Sequence, residues 1–448
     1  MTEKQFVYAL RRGLGSAIVE LKTNENRARY RDAVLRCCLR DINYDWQVEG
    51  TKGWYLYTAV CALGEKDAFE PIIIERFLSR CRDRLFLQLS SILACFADDG
   101  SDRAKAAFRE KYAGFAAKNG RLANSDADEG FQWDDVASRL FCIDGFAAFK
   151  RYVDDIGNVL AADPENSKVY YDSHALSFGA EDAFGKKRVN DYMEKMYDKS
   201  DAVKALTDAQ KRDALSAERH QEEIARERLT IPMLVEAAKG AVSAAYPRAV
   251  MPHFRFMKNA SEDEIAELAR TALAEEDETI KALLLSMFRR KPFPLDIAPL
   301  LQYARSDNEL LSETSINLLE SFSDARIHDL AVELLGTKGL SSQALGLLKE
   351  NYRKSDDALI NALIAKAAII PHHVQMDICD IYRHHRSKDA FPALLRVYQR
   401  GECAFCRHGA VEAMHHCGVL PDEILNECLY DSYDDTRKYA KRRLARKR

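Results

Sequence analysis

The sequence predicts an all-α fold of repeated antiparallel helix pairs, and three observations carry that expectation. Helix breakers are sparse, with 20 glycines and 11 prolines in 448 residues. Apolar residues recur at spacings of three and four, whereas the strict alternation of a half-buried strand is hard to find. One helical pattern also returns every 30 to 33 residues or so, a period typical of helical-hairpin arrays.

Taken in order, the amino-terminal MTEKQFVYALRRGLG reads as an amphipathic helix, already charged beyond Arg11 and Arg12. GWYLYTAVCALG (53–64) has the character of a second helix in a pair. KDAFEPIIIERFL (66–78) and RDRLFLQLSSILACF (82–96) form a complete pair, and WDDVASRLFCIDG (133–145) closes another. Residues 163–228 break the rhythm: DPENSKVYYDSHALSFGAEDAFGKK is rich in turn residues, and ALSAERHQEEIARERL reads as an exposed charged helix. The pairs then resume. First helices are predicted at 295–305, 325–335, 356–369, 388–400 and 422–431, and the string KDAF of residues 66–69 returns at 388–391.

The second helices share a template in which small residues alternate with large apolar ones. Cys406-Arg407, Ala410-Val411 and Met414 fill it, as do Thr436-Arg437, Ala440 and Leu444, and Val374-Gln375, Ile378-Cys379 and Tyr382. Leu310, Thr314-Ser315 and Leu318 fill it again, followed by Ile280-Lys281, Leu284-Leu285 and Phe288, with a weaker copy at Ala344, Leu348 and Tyr352. A single pair leaves an apolar face uncovered, so small residues admit the neighbouring pair while Leu or Met fills the seam. Through CRHGAVEAMHHCG (406–418) and SDNELLSETSINLLESF (306–322), the chain resembles the HEAT-repeat family, closely over 262–448 and loosely over 28–162. The resemblance implies an α-solenoid in two arrays, 1–162 and 229–448, joined by an irregular insert at 163–228. It implies a partner-binding surface and no particular reaction.

Composition narrows the function classes. The formal net charge is −4, so nucleic acid or anionic lipid would have to be held by a local basic patch. No run approaches the roughly 18 apolar residues of a membrane-spanning helix. The eleven cysteines sit mostly within apolar helical patterns, as small hydrophobes of a reducing, cytoplasmic compartment.

CAFCRHGAVEAMHHC (403–417) raises the question of zinc. Cys403 and Cys406 have half-site spacing, but a helix rises about 1.5 Å per residue, which puts His416 roughly 15 Å from Cys406. The segment alone therefore makes no site, and a metal would have to recruit Cys379, Cys428 or a histidine from an adjoining helix. The expectation is no metal and no cofactor. The histidine pairs His384-His385 and His415-His416 stand one repeat apart, and comparable positions hold Arg289, Arg290, Lys291, Arg353, Lys354, Arg442 and Arg443. Together these define a candidate basic ridge for a partner; cations at helix carboxy ends would produce the same pattern through the helix dipole alone. The terminal YAKRRLARKR (439–448) reads as a polar cap or a phosphate contact.

Catalytic motifs are missing. There is no phosphate-binding Gly-x-x-x-x-Gly-Lys loop and no Gly-x-Ser-x-Gly turn, and no histidine is followed by glutamate as in the HEAT-repeat metal hydroxylases. Among the HEAT-like DNA glycosylases, the nearest counterpart to an aromatic and acidic site is Trp133 with Asp134 and Asp135. The expected function is thus a non-catalytic protein-binding scaffold, and the alternative is a nucleic-acid-binding protein of the glycosylase type.

Overall fold

A computed structural model describes the chain except residues 118–126, 164–178, 227, 246, 247, 249, 250, 290 and 448. Among the described residues every regular element is a helix and none is a strand. None of the described helices is long and apolar enough to cross a membrane.

The chain forms two compact units, Met1–His220 together with Glu423–Arg448, and Gln221–Asp422. Residues 423–448, grouped with the second array on sequence pattern, cluster with the first unit. The reason is a close backbone approach: Ser432 N donates to Gly13 O at 2.9 Å, and Ser16 N donates to the Glu427 carboxylate at 2.9 Å. The Arg437 guanidinium also lies 4.0 Å from the Trp54 ring centre.

In the first unit, Asp83–Asp98 is the central helix, packed on Gly53–Leu63, Lys66–Leu78, Asp102–Ala116 and Ala127–Asp144. Its apolar spacing explains that position, since Phe86, Leu89, Ile92, Leu93 and Phe96 are all buried. Of the region read as an irregular insert, 164–178 lies outside the described residues, while Ala180–Phe184, Lys186–Met196 and Asp201–Arg226 are helical. The last of these carries the charged stretch.

Several helices of the second unit begin at residues whose side chains satisfy the first backbone donors. Ser261 and Glu264 form a reciprocal cap for Glu262–Ala274, Asp277 caps Glu278–Leu285, and Asn308 caps Glu309–Leu319. Glu309–Leu319 packs on Ala298–Tyr303 before it and on Glu278–Leu285. Ala404–His416 packs likewise on Phe391–Arg400 and His372–His385. The weak copy at 344–352 departs from the template: it forms a 3-10 turn, Ala344–Leu347, and a short helix, Leu348–Asn351. Gln343 precedes it in the left-handed region at φ 56°, which interrupts any continuous helix there.

Polar contacts in this unit recur at a nearly constant sequence separation. Ser306 Oγ donates to Glu278, Arg305 pairs with Glu333, and His328 meets Asp356, each across 28 residues. Asn351 Nδ2 reaches Phe322 O across 29, Ser387 Oγ donates to Asp357 across 30, and Asn361 Nδ2 donates to Asp389 O across 28. These separations lie close to the period of about 30 residues read from the sequence.

Candidate functional site

The expected ridge is only partly assembled. Arg290 lies outside the described residues. Arg442 and Arg443 belong to the first unit, where Arg443 stacks over Tyr439 at 5.0 Å. Arg353 and Lys354 are exposed but face acids, Asp329 at 3.7 Å and Asp389 at 3.3 Å. His385 stacks on Tyr352 at 4.5 Å and meets Lys349 O at 2.7 Å, which leaves His384 as the exposed member of that pair. His415 and His416 occupy the last turn of Ala404–His416, as helix-dipole complementarity requires. Arg289 and Lys291 are exposed, and Arg289 lines a cavity of about 340 Å³ with Arg248, Ser286, Asn317 and Glu320. Burial pushes the Glu320 carboxyl upward, and the Lys349 ammonium opposes that rise.

Of the glycosylase-like trio, Trp133 and Asp134 are core, and Asp135 is half-buried beside Arg139. Trp133 is 5% exposed and sits between Tyr112 and Tyr152, with ring centres 6.2 and 6.0 Å away. Asp134 accepts a hydrogen bond from the Tyr152 hydroxyl, and Asp135 accepts one from the Ser90 hydroxyl.

A larger cavity, about 1110 Å³, opens in the first unit and is rich in arginine. Arg40, Arg76, Arg80, Arg82 and Arg84 line it, with Asp41, Asp83, Cys81, Leu39, Leu85 and Phe131. Five guanidinium groups against two carboxylates leave a local excess of three positive charges. Among the described residues, Arg40, Arg82 and Arg84 have no ion-pair partner.

Two buried glutamines shape this cleft. Gln88, fully buried, donates through Nε2 to Cys37 O, Cys38 O and Arg40 O, and its Oε1 accepts from Ile42 N. It fixes the end of helix Arg31–Cys38 and aims the following Arg40. Gln132 donates to Cys81 O at 3.1 Å and to Asp83 at 2.8 Å, which pins the strip that carries Arg80, Arg82 and Arg84. Burial pushes the Cys81 thiol up, and nearby Lys111 and Arg76 oppose that effect. The alternation Arg80-x-Arg82-x-Arg84 at the start of helix Asp83–Asp98 was the available sequence signal.

The cysteine segment also acquires what it lacked. His372, the first residue of helix His372–His385, brings Nδ1 to 3.4 Å from Cys406 Sγ. The donor atoms of His372, Cys403 and Cys406 all lie within 4.8 Å of one another.

Scanned against protein-family models the chain matches none, and no curated protein matches it in sequence.

Proposed function

We propose that the chain is a HEAT-like helical-repeat scaffold that binds an acidic segment of a partner protein in the arginine-lined cleft of its first unit. The cleft carries the binding part of this reading. Guanidinium groups are weakly hydrated planar forks that suit carboxylates, and a concave site retains more of their attraction than an exposed surface does. Contacts recurring at 28 to 30 residues along the second unit support the repeat part, because stacked pairs of constant length would bond at one period.

An acidic protein fits better than nucleic acid. Asp41 and Asp83 in the lining limit the anionic charge the cleft can hold, which suits a short acidic segment better than the dense charge of a duplex. The overall charge of −4 also repels a long, densely charged duplex more than a short acidic segment confined to the cleft.

The test is fluorescence anisotropy of the full chain with a labelled glutamate-rich peptide and with duplex DNA of similar charge, at low and moderate salt. The peptide is expected to bind, and a joint Arg80→Glu, Arg82→Glu, Arg84→Glu variant to lose at least tenfold in affinity. Removing residues 439–448 is expected to leave that affinity unchanged. Binding of DNA in preference to the peptide, with a steep salt slope, would transfer the cleft to a nucleic-acid role. Equal peptide affinity in the parent and the triple variant would end the proposal.

A further inference from the structure

We propose that His372, Cys403 and Cys406 are a zinc site that joins two successive helix pairs of the second unit. Position comes first. Cys403 is the residue capping the amino end of helix Ala404–His416, and Cys406 lies one turn along it. His372 opens helix His372–His385, which packs directly against Ala404–His416. His372 and Cys403 stand 31 residues apart in the sequence, about one repeat, so stacking brings their helix starts side by side.

The donor geometry fits zinc. With zinc–sulfur bonds near 2.3 Å and zinc–nitrogen bonds near 2.0 Å, a tetrahedral ion separates its donors by roughly 3.5 to 3.8 Å. The observed 3.4 Å between His372 Nδ1 and Cys406 Sγ, with all three donors inside 4.8 Å, needs only small side-chain adjustments to reach that arrangement. Two thiolates and an imidazole select a borderline-soft ion, while carboxylate-preferring calcium and magnesium are disfavoured. The cysteines are 1% and 2% exposed, so the sulfur side of the site is dry, and His372 is the most accessible donor. The fourth vertex falls to solvent.

Helix capping does not account for a cysteine at position 403. The corresponding Asp277 and Asn308 accept hydrogen bonds from the first turn of their helices, whereas the Cys403 side chain makes no capping bond. The amino end of the helix also favours the negative charge of a bound thiolate. Binding releases the two thiol protons to solvent as the zinc–sulfur bonds form, with no change in oxidation state.

The inference is independent of the arginine cleft, and its test involves no partner. Full-length protein purified under reducing conditions is expected to hold one zinc per chain by elemental analysis. Replacing zinc with cobalt(II) is expected to give thiolate charge-transfer absorption and the strong visible bands of a tetrahedral ion. Joint Cys403→Ser and Cys406→Ser substitution should abolish both signals, and His372→Ala should weaken binding at least tenfold in a chelator competition. The parent titration decides the matter even where a variant folds poorly. No stoichiometric zinc together with no cobalt spectrum would overturn the site. A reversible Cys403–Cys406 disulfide found in place of bound metal would overturn it in favour of a redox pair.

Discussion

The His328 imidazole and the Asp356 carboxylate, 28 residues apart, meet with Nε2 at 3.0 and 3.2 Å from the two oxygens, and both side chains are buried. Asp356 also accepts the Arg353 backbone N–H at 2.7 Å, so one carboxylate ties the start of helix Asp356–Lys366 to helix Ala325–Thr337. Asp356→Ala strands both donors and is predicted to cost about 3 kcal/mol. Asp356→Asn keeps an acceptor oxygen and should cost less. Denaturant midpoints for the two variants check the order, and equal midpoints would contradict it.

Ala410 is fully buried in the helix that packs against both Phe391–Arg400 and His372–His385. Ala410→Asp puts a charge where water does not reach it, and is predicted to destabilise by several kcal/mol. Ala410→Gly, which adds nothing to the seam, should cost only about 1 kcal/mol. Thermal melts of both variants separate the burial of charge from a simple loss of helix propensity.

Asp377 gives the protein a pH dependence of known sign. Burial, then Glu320 and Asp380, push its carboxyl from 3.8 up to about 8, against the pull of Lys349. The folded state therefore holds a proton that the unfolded state has released between those values, and stability falls as pH rises through that window. Asp377→Asn removes this slope. Its melting temperature relative to the parent is predicted to climb by several degrees between pH 5 and pH 8. A constant difference across that range would show that the carboxyl ionises normally.

Gly15 permits the contact between residues 423–448 and the amino-terminal helices, since a Cβ there would stand 1.9 Å from Glu427 O. Gly15→Ala is predicted to cost about 1–3 kcal/mol and to expose the terminal segment to limited proteolysis. Gly114→Ala, in helix Asp102–Ala116 with nothing within 4 Å of the added carbon, should instead stabilise by about 0.5–1 kcal/mol. Identical proteolysis of the Gly15 variant and the parent would refute the contact.

Periodicity and sparse breakers were enough to specify helices, because a 3.6-residue repeat of apolar side chains buries a face only in that conformation. The sequence by itself also placed Cys406, Ala410 and Cys417 in the interior, where all three lie. Small residues at one helical face have no other common explanation. It left open which distant residues meet. The arginine cleft depends on Gln88 and Gln132 reaching backbone carbonyls about 50 residues away, and nothing local in the sequence records such a reach. The imidazole beside Cys406 is legible only once the repeat length is applied to His372, since donors on separate helices come together through packing. Residues 423–448 follow the same rule: their helix pattern was local, but the surface they cover was chosen by Gly13 and Gly15, where missing side chains let two backbones touch. Local periodicity thus fixed the kind of structure, and tertiary packing decided which charges, thiols and imidazoles came to face one another.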